Sequence, residues 1–265
     1  MNTNGNIYTI VYTAVIVVVV AGILAAAATF LKPAQQANIK AETISQMLQA
    51  AQFETAGMNN VQKLDKYAEE IDRAFTIDAQ GTKVKDLDVS RRNIELVDGL
   101  KAQNYAIAGK AGYEPGLPVY ILKDGVTVIP CYGAGLWGPV WGYLAIEPDG
   151  CTIKGAYFDH ESETAGLGAR IKDDPAFRGQ FVGKKIAWGS NPRFEIVKGG
   201  VTAGQENAID AITGATMTSK GLGEAVNVWL EAYKPYFEAS KCKCCPSESE
   251  EEPCCEEASA TQTNE

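Results

Sequence analysis

Thr213, Thr216, Thr218 and Ser219 place four hydroxyls within seven residues, with Gly214 among them and Asp210 three positions ahead. Downstream, Leu222, Val226, Trp229, Leu230, Tyr233 and Phe237 recur at helical spacing. The hydroxyls therefore stand at the mouth of an amphipathic helix. Two chemistries suit that position. A Ser or Thr side chain can cap the helix by accepting from its first free N–H groups. Alternatively, those N–H groups and the positive end of the helix dipole can hold a phosphate, and a threonine in the first turn could carry that phosphate covalently.

Two further stretches carry residue types with chemical use. Gly133-Ala-Gly-Leu-Trp-Gly-Pro-Val-Trp-Gly-Tyr143 combines glycines, which allow close backbone approach, with the flat rings of Trp137, Trp141 and Tyr143. Such a segment suits a planar heterocycle; it equally suits a tight β-corner with aromatic residues in the core. Then comes His160-Glu-Ser-Glu-Thr-Ala-Gly-Leu-Gly168, containing the chain's one histidine. Nothing in the sequence pairs His160 with a nucleophile, so it reads as a hydrogen bonder that steadies its loop.

Taken together, these stretches resemble a known family. Asp-x-x-Thr-Gly-Ala-Thr-x-Thr is similar to the flavinylation motif of the FMN-binding domain in respiratory flavoproteins, where FMN is joined through its phosphate to the last Thr. By that resemblance Thr218 is the attachment residue, with Thr213, Gly214, Ala215 and Thr216 on the rest of the motif and Asp210 on its leading acid. The Gly-Leu-Trp-Gly-Pro…Gly-Tyr-Leu-Ala run resembles the NqrC family, the C subunits of the sodium-translocating NADH:quinone oxidoreductase. The family's Glu-Thr-Pro-Gly-Leu-Gly loop corresponds to Glu163, Thr164, Gly166, Leu167 and Gly168, with Ala165 in place of its Pro. That loop lies beside the flavin ring in the family, which makes Leu136, Trp137, Thr164 and Leu167 the expected ring contacts. The resemblance implies an electron carrier with one covalent FMN per chain, no catalytic residue of its own and no metal. It also implies membrane-subunit partners and a flavin transferase for maturation. The related subunit of the ferredoxin-linked Rnf complex shares the threonine motif and is an alternative, as is a membrane-anchored flavin-binding module outside any complex.

Composition narrows the rivals. Net charge is −9, of which −6 lies between Cys242 and Glu265, and no basic patch invites nucleic acid. A single histidine leaves little for a catalytic triad or a multi-His metal centre. Five of the seven cysteines (242, 244, 245, 254, 255) sit in the acidic tail without paired CxxC spacing; Cys131 and Cys151 lie apart, either bridged or as two buried thiols. No Gly-x-Gly-x-x-Gly fingerprint opens a helix after a strand, so NADH oxidation would fall to another subunit.

The elements that must position the hydroxyls come next. Ile7 to Leu31 holds no charged residue and is long enough to span a bilayer. No basic segment precedes it, which favours a retained anchor over a cleaved signal. Pro33 is expected to end the span, a helix to follow over 34–58, and a second over 61–72. Phe75 to Gly81 reads as a strand and a turn, and 82–112 as irregular or helical. From Leu117 the pattern turns to β: 117–122 and 126–131 around Lys123-Asp-Gly125, then 140–146 and 151–158 around Pro148-Asp-Gly150. A short helix over 174–181, a strand over 194–197 and the last helix over 216–239 complete the chain. The expected fold class is α+β: one N-terminal transmembrane helix, then an antiparallel-sheet FMN-binding domain with flanking helices on one side. In domain terms this gives an anchor (1–32), a stalk and mixed segment (33–112), the FMN-binding domain (113–240) and an acidic Cys-rich tail (241–265), expected to be disordered unless its thiols bind a soft metal or form disulfides. Lys32 and Lys40 after the span lean towards a cytoplasmic body. The family resemblance implies the reverse, a single-pass protein of the bacterial inner membrane with a periplasmic body.

Overall fold

The computed structural model describes residues 5–97 and 99–240; the acidic Cys-rich tail lies outside the described residues. Helix α1 (Asn6–Ala50) is continuous for 45 residues, with Pro33 inside it. At about 1.5 Å per residue it reaches roughly 68 Å, more than twice the ~30 Å core of a bilayer. The expected break at Pro33 does not occur. Proline removes one N–H and crowds the preceding turn, yet the flanking turns here are exposed, with nothing packed against them to force a bend. The helix instead stops at Ala50, earlier than expected, where Gln52 adopts a left-handed φ of 70°.

After α2 (Asn60–Glu70), fixed at its start by a reciprocal Asn59–Gln62 capping box, six strands form one antiparallel sheet: β1 (Ile71–Ile77), β2 (Lys83–Leu87), β3 (Leu117–Leu122), β4 (Thr127–Ala134), β5 (Pro139–Ile146) and β6 (Ile153–His160), in the order β2-β1-β3-β4-β5-β6. The sheet thus reaches back past residue 113 to include β1 and β2. The stretch 82–112, expected to be irregular or helical, contains the edge strand β2 and a helix, α3 (Leu100–Ile107). Both Asp-Gly turns are present, Gly125 at φ 85° and Gly150 at φ 73°. Short helices α4 (Arg170–Asp173) and α5 (Pro175–Gly179) follow, then a parallel pair, β7 (Glu195–Val197) and β8 (Ala208–Asp210), and finally α6 (Thr216–Ala239).

Helices cover both faces of the sheet, not one. Alternation along the strands sends Leu117, Val119, Ile129, Cys131 and Leu144 to the α6 face, and Tyr120, Leu122, Val128, Tyr143 and Ala145 to the face covered by α1 and α2. Ile44, Met47 and Leu48 of α1 are buried in that second core, so the last turns of the long helix belong to the domain. On the opposite face the six helix-spaced residues from Leu222 to Phe237 are all buried. Trp229 donates its indole N–H to the Tyr132 carbonyl (2.9 Å) and Tyr233 its hydroxyl to the Pro118 carbonyl (2.6 Å), fixing the helix across β3 and β4. Gly133 is what lets α6 come so near: a methyl group there would lie 2.6 Å from the Ala225 methyl. Cys131 and Cys151 are buried thiols with no disulfide between them.

Candidate functional site

Close packing of α6 on β4 brings the first turn of α6 to the end of the sheet where β4 passes into β5. No side chain caps the helix; its N-cap position is Ala215. Of the four hydroxyls, Ser219 is turned back to accept from the Ile212 N–H (3.1 Å), and Thr213 and Thr216 are exposed. The capping expectation is therefore not met, and the helix start keeps unclaimed donors of the kind that suit an anion. Thr218 differs from its neighbours. It is buried, and its Oγ1 donates to Glu163 Oε2 at 2.7 Å.

Glu163 arrives from the loop after β6 and ties the site together. Its Oε1 accepts from the Trp137 N–H (3.0 Å), and its own N–H donates to His160 Nδ1 (3.2 Å). This gives His160 the loop-steadying role that its lack of a nucleophile suggests. Two more bonds stitch this loop to the β4–β5 turn: Ser162 Oγ to the Trp137 carbonyl (2.8 Å), and the Glu161 N–H to the Pro139 carbonyl (3.1 Å). Gly168 faces the pair with no side chain; a methyl group there would stand 2.7 Å from Thr218 Oγ1 and would overlap the Glu163 carboxylate. Around this buried acid–hydroxyl pair the rim is exposed and apolar. Leu136, Trp137, Leu167 and Met217 are 50%, 67%, 43% and 56% exposed.

Most of the residues singled out from sequence meet here. Thr218, Glu163, Gly168, Trp137 and Leu136 form one cluster. The Thr164 carbonyl accepts from the Leu167 and Ala169 N–H groups, and Gly166, at φ 75°, makes the turn between them without the family's proline. Leu167 packs against Gly214, in the loop carrying Thr213 and Ala215. Asp210 stands apart: its carboxylate accepts from the Val201 N–H (2.7 Å) and braces a neighbouring loop. A separate cleft of about 530 Å³ flanks α6 beside Thr216, lined by Ile196, Val197, Lys198, Lys220 and Asn227 among others; Thr218 and Trp137 are not part of it. Sequence reasoning missed Met217 and Ser162. Met217 occupies an unspecified position of the motif, next to Thr218 in the chain, and is exposed.

Residues 135–231 match the model of the FMN-binding domain. Over 232 residues the chain is 32% identical to the C subunit of the Na(+)-translocating NADH-quinone reductase of Vibrio parahaemolyticus, covering 78% of this chain and 84% of that one. The chain belongs to this family of C subunits. A second relative of the same name, from Vibrio anguillarum, is 38% identical over a shorter stretch of 117 residues, 42% of this chain and 46% of that one. Among solved structures, the C subunit of Parabacteroides distasonis superposes with a TM-score of 0.65 at 32% identity, covering 78% of this chain and 96% of that one. Shewanella oneidensis NqrC gives a TM-score of 0.60 at 28% identity, covering 76% and 96%. The stretch matched to the FMN-binding domain takes in β5, β6, both loops of the site and the greater part of α6.

Proposed function

We propose that this NqrC homologue is the FMN-carrying electron relay of a Na(+)-translocating NADH:quinone reductase, anchored in the bacterial inner membrane by α1. FMN is joined through its phosphate to Thr218, one per chain. The observation that carries this reading is the uncapped first turn of α6 with Thr218 in it, inside the span that matches the FMN-binding domain. The residues fit the group in kind. Free N–H groups and the helix dipole offer a phosphate its donors, the exposed hydroxyls of Thr213 and Thr216 flank it, and Leu136, Trp137, Thr164 and Leu167 present apolar surface and one flat ring to a heterocycle.

FMN, when bound, supplies the redox chemistry, while the protein supplies placement and electrostatics. A carrier fixed by a covalent bond cannot diffuse away, which suits one station between neighbouring subunits. NADH oxidation falls to a partner because the chain carries no dinucleotide fingerprint, and sodium movement falls to the membrane partners because the span Ile7–Leu31 carries no Asp, Glu, Lys, Arg or His. The soluble body lies on the periplasmic side, and attachment requires a flavin transferase. In cells possessing that enzyme, the wild-type chain run on a denaturing gel is expected to keep a yellow flavin fluorescence. Thr218→Val is expected to lose it completely while retaining its circular dichroism spectrum. Fluorescence persisting in that variant contradicts the assignment of the residue.

A further inference from the structure

Thr218 and Glu163 are 55 residues apart in sequence, and both are buried, yet their side chains meet at 2.7 Å in a neutral-hydroxyl-to-carboxylate hydrogen bond. A buried carboxylate needs such donors, and the Trp137 N–H supplies a second on the other oxygen. What distinguishes the arrangement is its direction. The threonine proton already points at the carboxylate, which leaves the oxygen lone pairs available to an electrophile.

We propose that Glu163 is the general base for attachment at Thr218, so that the acceptor protein carries part of the catalytic machinery for its own modification. This rests on the reading of Thr218 as the attachment residue. Threonine hydroxyl is a weak nucleophile, and a positioned carboxylate that takes its proton as the phosphorus is attacked is the device protein kinases use on their hydroxyl substrates. The donor has to be an activated flavin nucleotide, one whose 5′-phosphate is joined to a second nucleotide, because a bare monoester offers no good leaving group. In the step, the Oγ1–P bond forms, the P–O bond to the departing nucleotide breaks with its electron pair leaving on that nucleotide, and the threonine proton passes to Glu163. No oxidation state changes. Burial serves the same end: Thr218 is 1% and Glu163 8% exposed, so bulk water has little access to the pair. Gly168 leaves the side facing the hydroxyl free of any side chain. The flanking residues Thr164 to Leu167 are exposed, so admitting a phosphate displaces surface loop and not core.

The test is the rate of flavin incorporation into full-length protein in detergent, using purified flavin transferase and flavin adenine dinucleotide, followed by intact mass, with thermal unfolding of each variant as the control for folding. General base catalysis contributes about 10²–10⁴-fold, so Glu163→Gln is expected to slow incorporation by at least about 100-fold. Glu163→Asp distinguishes a proton acceptor from a positioning role. Glutamine keeps the length and an accepting oxygen, so a residue that only positions Thr218 tolerates Gln better than Asp; a base requires the carboxylate and tolerates Asp better than Gln. Incorporation into Glu163→Gln at the wild-type rate, or faster than into Glu163→Asp, overturns the proposal. A wild-type chain left unlabelled at residue 218 overturns the attachment reading itself, and that arm is read before either variant.

Discussion

The Glu163 carboxylate accepts one bond from a backbone N–H and one from a hydroxyl, while its own N–H donates to His160, so this one residue joins the β4–β5 turn, the end of β6 and the first turn of α6. Its neighbours on the rim are large, apolar and exposed, a pairing of buried polar fastening with open apolar surface that suits the seating of a ring. Elsewhere in the core, single residues are shielded strongly enough to change their chemistry. Burial pushes the Cys131 thiol up to about 12, with a backbone hydrogen bond from Gly142 opposing it only in part. An unfolded thiol ionises near 8.5. Between those values the unfolded chain binds fewer protons than the folded one, so this group's contribution falls as pH rises, by at most about 1.4 kcal/mol per pH unit. At pH 8 the native thiol is expected to resist alkylation, as measured by peptide mass after iodoacetamide, and to react at once in denaturant. Rapid labelling of Cys131 in native protein would contradict the burial described.

At the scale of elements, α1 has two parts with different surroundings. Its residues from Ile7 to Ile39 are largely exposed apolar side chains, whereas Ala41, Ile44, Met47, Leu48 and Ala50 are at most 1% exposed within the domain. A chain beginning at Gln35 is therefore expected to be water-soluble and to unfold cooperatively. One beginning at Gln52 exposes the α1 face of the sheet and is expected to aggregate. Sedimentation and thermal unfolding check both, and a stable fold in the shorter chain would show that the α1 contacts are dispensable. Much of this layout was legible beforehand. The hairpins β3–β4 and β5–β6 announced themselves through Asp-Gly turns between β-branched runs, and α6 through its 3.6-residue spacing. What stayed hidden has physical reasons. Lys83-Val-Lys-Asp-Leu87 is an edge strand with only its last residue buried, so it carries no alternation. Ala208–Asp210 is too short to show a period. Pro33 misled because proline's local preference was outweighed by the helix on either side. At the site, motif and loops were readable separately. The bond joining Glu163 to Thr218 was not, since no local pattern reports a contact 55 residues long.

For the molecule as a whole, the position of α1 relative to the site is the telling feature. Gln46 of α1 donates to Asp159 near the end of β6 (3.0 Å), and Asn38 and Glu42 line a cleft with Trp141 and Asp159. The apolar part of α1 therefore leaves the domain at the same end of the sheet as His160, the β4–β5 turn and the start of α6. Seven residues separate Asn38 from Leu31, about 10 Å of helix. An anchored domain would thus carry its candidate site at the end nearest the bilayer, where a relay between membrane subunits needs it. Under the proposed function, the exposed side chains of Leu136, Trp137, Leu167 and Met217 would be the surface offered to the flavin ring and to the next carrier. All of this depends on the hydroxyl at the start of α6 holding a flavin nucleotide. Proteolytic peptides spanning residues 210–220, taken from native membranes of cells that possess the transferase, measure it directly. The expected result is a mass increase of one FMN less one water, localised to Thr218 by fragmentation; peptides found unmodified at that residue would contradict the account.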